Sequence, residues 1–264
     1  MNAGALRSCL RALPAACVLS AVTPVANAIQ DEIQVYIDDI NKPGEKGLEL
    51  HVNTTPRGRS TPDYPGDMPP RHSWRITPEF SWGVTDTFDW GLYLPSVFGP
   101  DGDFHPGGAK LRFKWMPFQP DEKLGGWYAG ANLELARITE KFSESPLASE
   151  LRTIFGYRAP TWLIGVNPIF EWNLSPGHRF GGPEFTFAVK AMHDVAEGIA
   201  LGVEHYAGIG RLSNSLPLSQ QDHMLFVALD VDRKPWAFNV GVGRGLNGAT
   251  DRWTLKAIFE IPLH

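Results

Sequence analysis

Thiols are nearly missing from this 264-residue chain, which has two cysteines, Cys9 and Cys17, both close to the N-terminus. A small scaffold stapled by disulfides is therefore excluded. Beyond the N-terminal region no stretch approaches the ~18 uninterrupted apolar residues of a transmembrane helix. An excess of positive charge is missing too: 24 lysines and arginines face 29 aspartates and glutamates, for a formal charge of −5, and no nucleic-acid partner is expected. Helical spacing of apolar residues appears nowhere at a strength comparable with the pattern described next.

What is present begins with MNAGALRSCLRALPAACVLSAVTPVANA. Arg7 and Arg11 precede an apolar run too short to span a bilayer, and Ala26-Asn27-Ala28 forms an A-x-A site. This layout predicts a cleaved secretory signal over residues 1–28. Cleavage would remove both cysteines, two arginines and no acid, leaving a thiol-free, more acidic chain of single-domain size.

From Gly47 onward, nearly every segment alternates an apolar set with a polar or small one at spacing two. In GGAKLRFKWMP, Ala109, Leu111, Phe113 and Trp115 alternate with Lys110, Arg112 and Lys114; in WYAGANLEL, Trp127, Ala129, Ala131 and Leu133 alternate with Tyr128, Asn132 and Glu134. Successive side chains of a strand point to opposite faces, so each segment has one greasy wall and one polar wall. Twelve such strands can be traced. Their connections alternate as well: long loops such as Thr55 to Arg71 and Pro95 to Gly107 are interleaved with tight turns such as Thr85 to Thr87 and Ala159-Pro160-Thr161. This sorting, with both termini at the short-turn end, predicts an all-β, antiparallel up-and-down transmembrane β-barrel of about 12 strands.

Alternation alone fits a soluble sandwich equally well, because inverting the walls leaves the pattern unchanged. Three features place lipid on the apolar side. Trp82, Trp90, Trp115, Trp127, Trp162 and Trp236 fall at the short-turn end and Trp74, Trp172 and Trp253 at the other, as two interfacial girdles would. The polar wall is rich in glycine, including Gly130, Gly156, Gly165 and Gly202, as suits a crowded lumen. Strands of roughly nine to eleven residues match a tilted crossing of the hydrocarbon layer. The expected organisation is a signal over 1–28, a short acidic periplasmic arm over 29–46, and the barrel over 47–264.

The lumen would then hold both signs of charge. Glu79, Lys110, Arg112, Lys114, Glu134, Arg152, Arg158, Glu171, Lys190 and Glu204 are the expected pore-lining residues. On one reading these charges pair across the lumen and fill it. On the other, a water column survives and the cationic ladder Lys110, Arg112, Lys114 biases it toward anions.

The segments DINKPGEKGLELHVN, GGAKLRFKW and NVGVGRGLNGATDRWTLKAI resemble a Gram-negative outer-membrane barrel family whose members are described as transporters and grouped with the MetA-pathway of phenol degradation proteins. The resemblance extends over most of the chain after the signal. It implies a fold and an outer-membrane location but supplies no catalytic motif and no defined ligand. The last aromatic residue is Phe259, followed by Glu-Ile-Pro-Leu-His, so the terminal aromatic read by the outer-membrane assembly machinery is displaced.

Three functions compete on this reading. The first is a passive channel for a small hydrophobic or anionic solute, which needs only a lumen and loops. The second is a lipid-acting hydrolase. Barrel lipases carry His-x-Ser-Asn at the outer rim, but this chain has Arg211-Leu212-Ser213-Asn214, and a guanidinium cannot act as a general base near neutral pH. The third is a structural or adhesive barrel whose Arg57, Arg59, Arg71 and Arg179 meet lipopolysaccharide phosphates. Membrane lipids and lipopolysaccharide are the expected partners, and no enzyme activity or cofactor is expected. Asp38, Asp39 and Glu45 are close enough in sequence to hold a cation, but they read as a solvated arm. In GVGRGLNG no helix pattern follows the glycines, so this stretch reads as a strand end and not as a phosphate loop.

Overall fold

The computed structural model describes residues 32–121, 123–177, 182–234 and 236–263; the expected signal, the start of the arm and Arg179 lie outside them. The strands are β1 (Lys46–Arg57), β2 (Trp74–Thr85), β3 (Phe88–Tyr93), β4 (Ser96–Phe98), β5 (Phe104–Pro106), β6 (Gly108–Phe118), β7 (Gly126–Ile138) and β8 (Leu147–Arg158). They continue with β9 (Trp162–Asn173), β10 (Glu184–Ala196), β11 (Ile199–Arg211), β12 (Asn214–Ser215), β13 (Asp222–Arg233), β14 (Trp236–Gly245) and β15 (Trp253–Pro262).

Twelve of these strands form the wall: β1 to β3, β6 to β11 and β13 to β15. Each pairs antiparallel with its neighbours. The sheet closes because β1 pairs with both β2 and β15, Leu48 opposing Phe80 on one side and Ile261 on the other. Closure leaves no unpaired edge in the wall, which is what makes a sheet tolerable in hydrocarbon.

Three elements depart from the sequence expectation. Strand β3 has only 6 residues. Leu94 still donates to the Pro78 carbonyl at 3.0 Å, but Pro95 has no N–H to donate, so the ladder is interrupted there and pairing with β2 resumes in the same register through β4. The loop expected over Pro95 to Gly107 is consequently a small hairpin of β4 and β5. In the loop after β11, β12 folds back on Gly210 and Arg211. Strands also run longer than eleven residues, up to 13 in β7, β10 and β11.

The walls face as the lipid-outside reading requires. Trp127 is 77% exposed, Val227 58% and Phe155 50%, whereas Lys110, Arg112 and Lys114 are each at most 5% exposed. A soluble sandwich would show the reverse. Girdle aromatics meet across strands: Trp82 stacks on Trp90 at 4.4 Å between centroids, and Trp127 meets Tyr157 edge-on at 5.1 Å. The inner wall is crowded where the glycines stand. A side chain at Gly130 would strike Met116, and one at Gly156 would strike Tyr128 and the Ile164 carbonyl.

Candidate functional site: the lumen and its arm

The segment before β1 does not stand outside the barrel as a solvated periplasmic arm. Residues 32–41 lie inside the lumen, and the chain leaves at the short-turn end, where Gly44 adopts a φ of 82° and donates to the Gly83 carbonyl at 2.9 Å. The sequence of the arm explains the difference. Ile33, Val35, Ile37 and Ile40 alternate irregularly with acids, so the segment carries both apolar surface to bury and charges that match the inner wall. Val35 packs with Ile169 and Ala188, and Tyr36 with Met116, Tyr128, Ile154 and Met192. Burying side chains of this size is worth about 1.5–3 kcal/mol each as an upper bound.

A closed sheet offers the arm no free edge, so its backbone polar groups must find side chains instead. Asn167 meets this need at Tyr36. Its Oδ1 accepts from the Tyr36 N–H at 2.7 Å and its Nδ2 donates to the Tyr36 carbonyl at 3.0 Å. Arg152 donates to the Gln34 carbonyl at 3.0 Å, and Lys256 to the Ile33 carbonyl at 3.0 Å. The Tyr36 hydroxyl bonds that of Tyr93 at 2.5 Å, and the Arg152 guanidinium lies over the Tyr36 ring at 4.4 Å.

The acids of the arm meet the cations of β6 and β8. Glu32 lies 3.5 Å from Lys110 and 3.8 Å from Arg152. Asp39 is 3.6 Å from Lys114. Asp38 accepts a two-point pair from Arg158, with Nε at 2.6 Å and Nη2 at 2.5 Å, the fork geometry guanidinium makes with carboxylate. Asp38 is thus neither a cation ligand nor a solvated charge.

All ten residues expected to line a pore lie on the inner wall, and four of them, Lys110, Glu134, Arg152 and Glu171, border the cavity described below. Nine of them are below 9% exposed, and the tenth, Arg158, holds Asp38. The wall also pairs with itself. Arg112 lies 2.8 Å from Glu79 and 3.1 Å from Asp89; Lys110 is 3.1 Å from Glu134; Arg152 is 2.9 Å from Glu150. Glu204 gathers Lys256, Lys190 at 3.6 Å and the Tyr206 hydroxyl at 2.6 Å. Glu49, His51 and Glu79 bring three ligand-type atoms within 4.8 Å of one another, but Glu79 is already engaged by Arg112 and His51, so the group reads as part of the charge network.

Above the arm, toward the long loops, a cavity of about 490 Å³ remains. Glu32, Ile33 and Gln34 border it from the arm. The pairing register gives this vestibule a feature invisible in the linear sequence. Glu134 opposes Glu150, Glu150 opposes Glu171, and Glu171 opposes Glu184, so four glutamates lie in a row across β7 to β10. All four line the cavity, joined by Asp222 and Asp251. The vestibule is therefore acidic while the lumen below it is cationic on one side.

His205 lies on the opposite face of β11 from the buried Glu204, and its ring stacks on His223 at 5.5 Å.

The sequence matches no family model and no curated protein. Solved structures do match. An outer-membrane channel from Pseudomonas putida F1 superposes with a TM-score of 0.57 at 12% identity, covering 88% of this chain and 100% of that one. The NanC porin gives 0.52 at 7% identity, with 82% and 99% covered. The KdgM porin in complex with disordered oligogalacturonate gives 0.50 at 11% identity, with 83% and 99% covered. At such identities the likeness is one of fold. Together with the apolar belt and charged lumen, it defines the class of this chain: a twelve-stranded antiparallel β-barrel of the outer membrane, built on the architecture of porins and channels.

Proposed function

We propose that this protein is a passive channel for small solutes whose lumen is closed, in the conformation described, by its own N-terminal arm. One observation supports this reading: a separate segment, residues 32–41, is held inside the barrel by side chains of the wall. A barrel that served only as a structural or adhesive element would have no use for a vestibule of about 490 Å³ that ends on such a segment. The resemblance to the MetA-pathway of phenol degradation group belongs to the same reading and is supported by the three sequence segments alone. The lipid-hydrolase alternative finds no support at the rim, where Arg211 occupies the position a base would need and His205 faces away from the lumen.

Recording from the purified full-length chain in planar bilayers tests the proposal. A quiet baseline with sparse, discrete openings is the expected behaviour, as the arm leaves and returns. A barrel that never conducts at any applied voltage contradicts it.

A further inference from the structure

The cations that face the arm are not equivalent. Lys110, Arg112 and Arg152 each have a carboxylate of the wall within reach, in Glu134, Glu79 and Glu150. Arg158 does not, and the wall acid that opposes Lys114, Asp89, is held by Arg112 at 3.1 Å. Among the described residues, the carboxylates within ion-pair distance of these two belong to the arm alone: Asp38 for Arg158 and Asp39 for Lys114. Both cations lie toward the short-turn mouth, Arg158 at the end of β8 and Lys114 near the end of β6. Water reaches this point, since the side chains of Arg158 and Asp39 are 41% and 56% exposed.

We propose that Arg158 and Lys114 form a carboxylate-binding site at the short-turn mouth, occupied here by the arm's own Asp38 and Asp39, and that small polycarboxylates arriving from that mouth compete for it and release the arm. The proposal rests on the channel reading and adds to it a ligand class and a side. A guanidinium fork with an ammonium beside it suits two carboxylates carried on adjacent atoms of one small molecule. At the opposite end the cavity lining carries more carboxylates than cations, with Glu171, Glu184, Asp222 and Asp251 beyond those that pair with Lys110 and Arg152, and this excess disfavours entry of the same anions there. A ligand that binds only when the arm is out shifts the arm by mass action, without any specific trigger.

The test uses the full chain carrying Val35→Cys, with Cys9 and Cys17 replaced by serine. Val35 is buried against Ile169 and Ala188, and no cysteine occurs among the described residues, so alkylation of this thiol reports the arm leaving the lumen independently of conductance. Citrate is the probe, with sucrose and spermidine as neutral and cationic controls. Citrate on the short-turn side is expected to speed alkylation about tenfold, within the usual range of coupling between two sites. Arg158→Gln and Lys114→Gln raise the basal rate and abolish the citrate response. Asp38→Asn raises the basal rate and keeps the response, because the site is emptied but not removed. Equal effects of citrate and sucrose, or a citrate response that survives in both cation variants, overturn the proposal. If openings are seen in bilayers but citrate changes nothing, the site fails and the channel stands; if alkylation responds to citrate in a barrel that never conducts, the channel fails and the site stands.

Discussion

Replacing Asn167 by leucine should open this barrel, and the size of the effect follows from two hydrogen bonds. Asn167 is fully buried, and its amide serves both the N–H and the carbonyl of Tyr36, at 2.7 and 3.0 Å. Leucine fills a similar volume but offers neither donor nor acceptor. With the arm in place, both backbone groups of Tyr36 then stay buried without partners, at about 1–3 kcal/mol each. With the arm out, water satisfies them and no penalty arises. The difference, about 2–4 kcal/mol after partial relaxation, raises the population of the arm-out state roughly thirty- to several-hundred-fold. The wall itself is untouched, because the ladder of β9 uses backbone groups. Single-channel open probability measures the shift directly. An unchanged open probability, with the variant correctly folded, would refute the claim that the arm is what closes the lumen.

Other perturbations probe the wall and the loops. Gly156→Ala places a methyl group against Tyr128 and the immobile Ile164 carbonyl, so a loss of about 1–3 kcal/mol is expected in the urea-induced unfolding of the barrel in lipid vesicles. Val227→Arg sets a charge in the lipid-facing belt and should cost about 2–4 kcal/mol in the same measurement, whereas a soluble sandwich would accept it at little cost. Burial raises the carboxyls of Asp63 and Asp251 above the usual aspartate range, Arg59 opposing the effect at both. A raised folded-state value means that protonation favours the docked loop. That stability is fully present below the ordinary aspartate value of about 4 and is lost as pH rises through the raised one. Hydrogen exchange in residues 58–73 should therefore slow as pH is lowered toward that window after correction for intrinsic rates, and Asp251→Asn should flatten the dependence.

The barrel was legible because alternation at spacing two states that two walls exist, and the tryptophan and glycine positions state which one meets lipid. Those signals are local. Strand β3 ends within one residue of Leu94, where its apolar pattern stops; what the pattern does not show is that the chain beyond Pro95 returns to β2 as β4 in the same register. The arm was harder to read for a physical reason. Glu32, Asp38 and Asp39 look like solvated charge until their partners are known, and Arg158 lies 120 residues from Asp38. The glutamate row of the vestibule depends on three successive registers, each fixed by turn lengths and bulges, so no window of sequence displays it. Parity puts the ten charges on the wall opposite the apolar one, but parity says nothing about what fills the space between them.

A cross-link across the lumen tests the central claim most directly. Val35 and Ala188 pack in one buried cluster, so cysteines at both positions should oxidise rapidly to a disulfide in the assembled barrel. The account predicts near-complete cross-linking, loss of all openings in planar bilayers, and their return on reduction. A correctly folded double variant that does not cross-link, or one that conducts equally well oxidised and reduced, would contradict it.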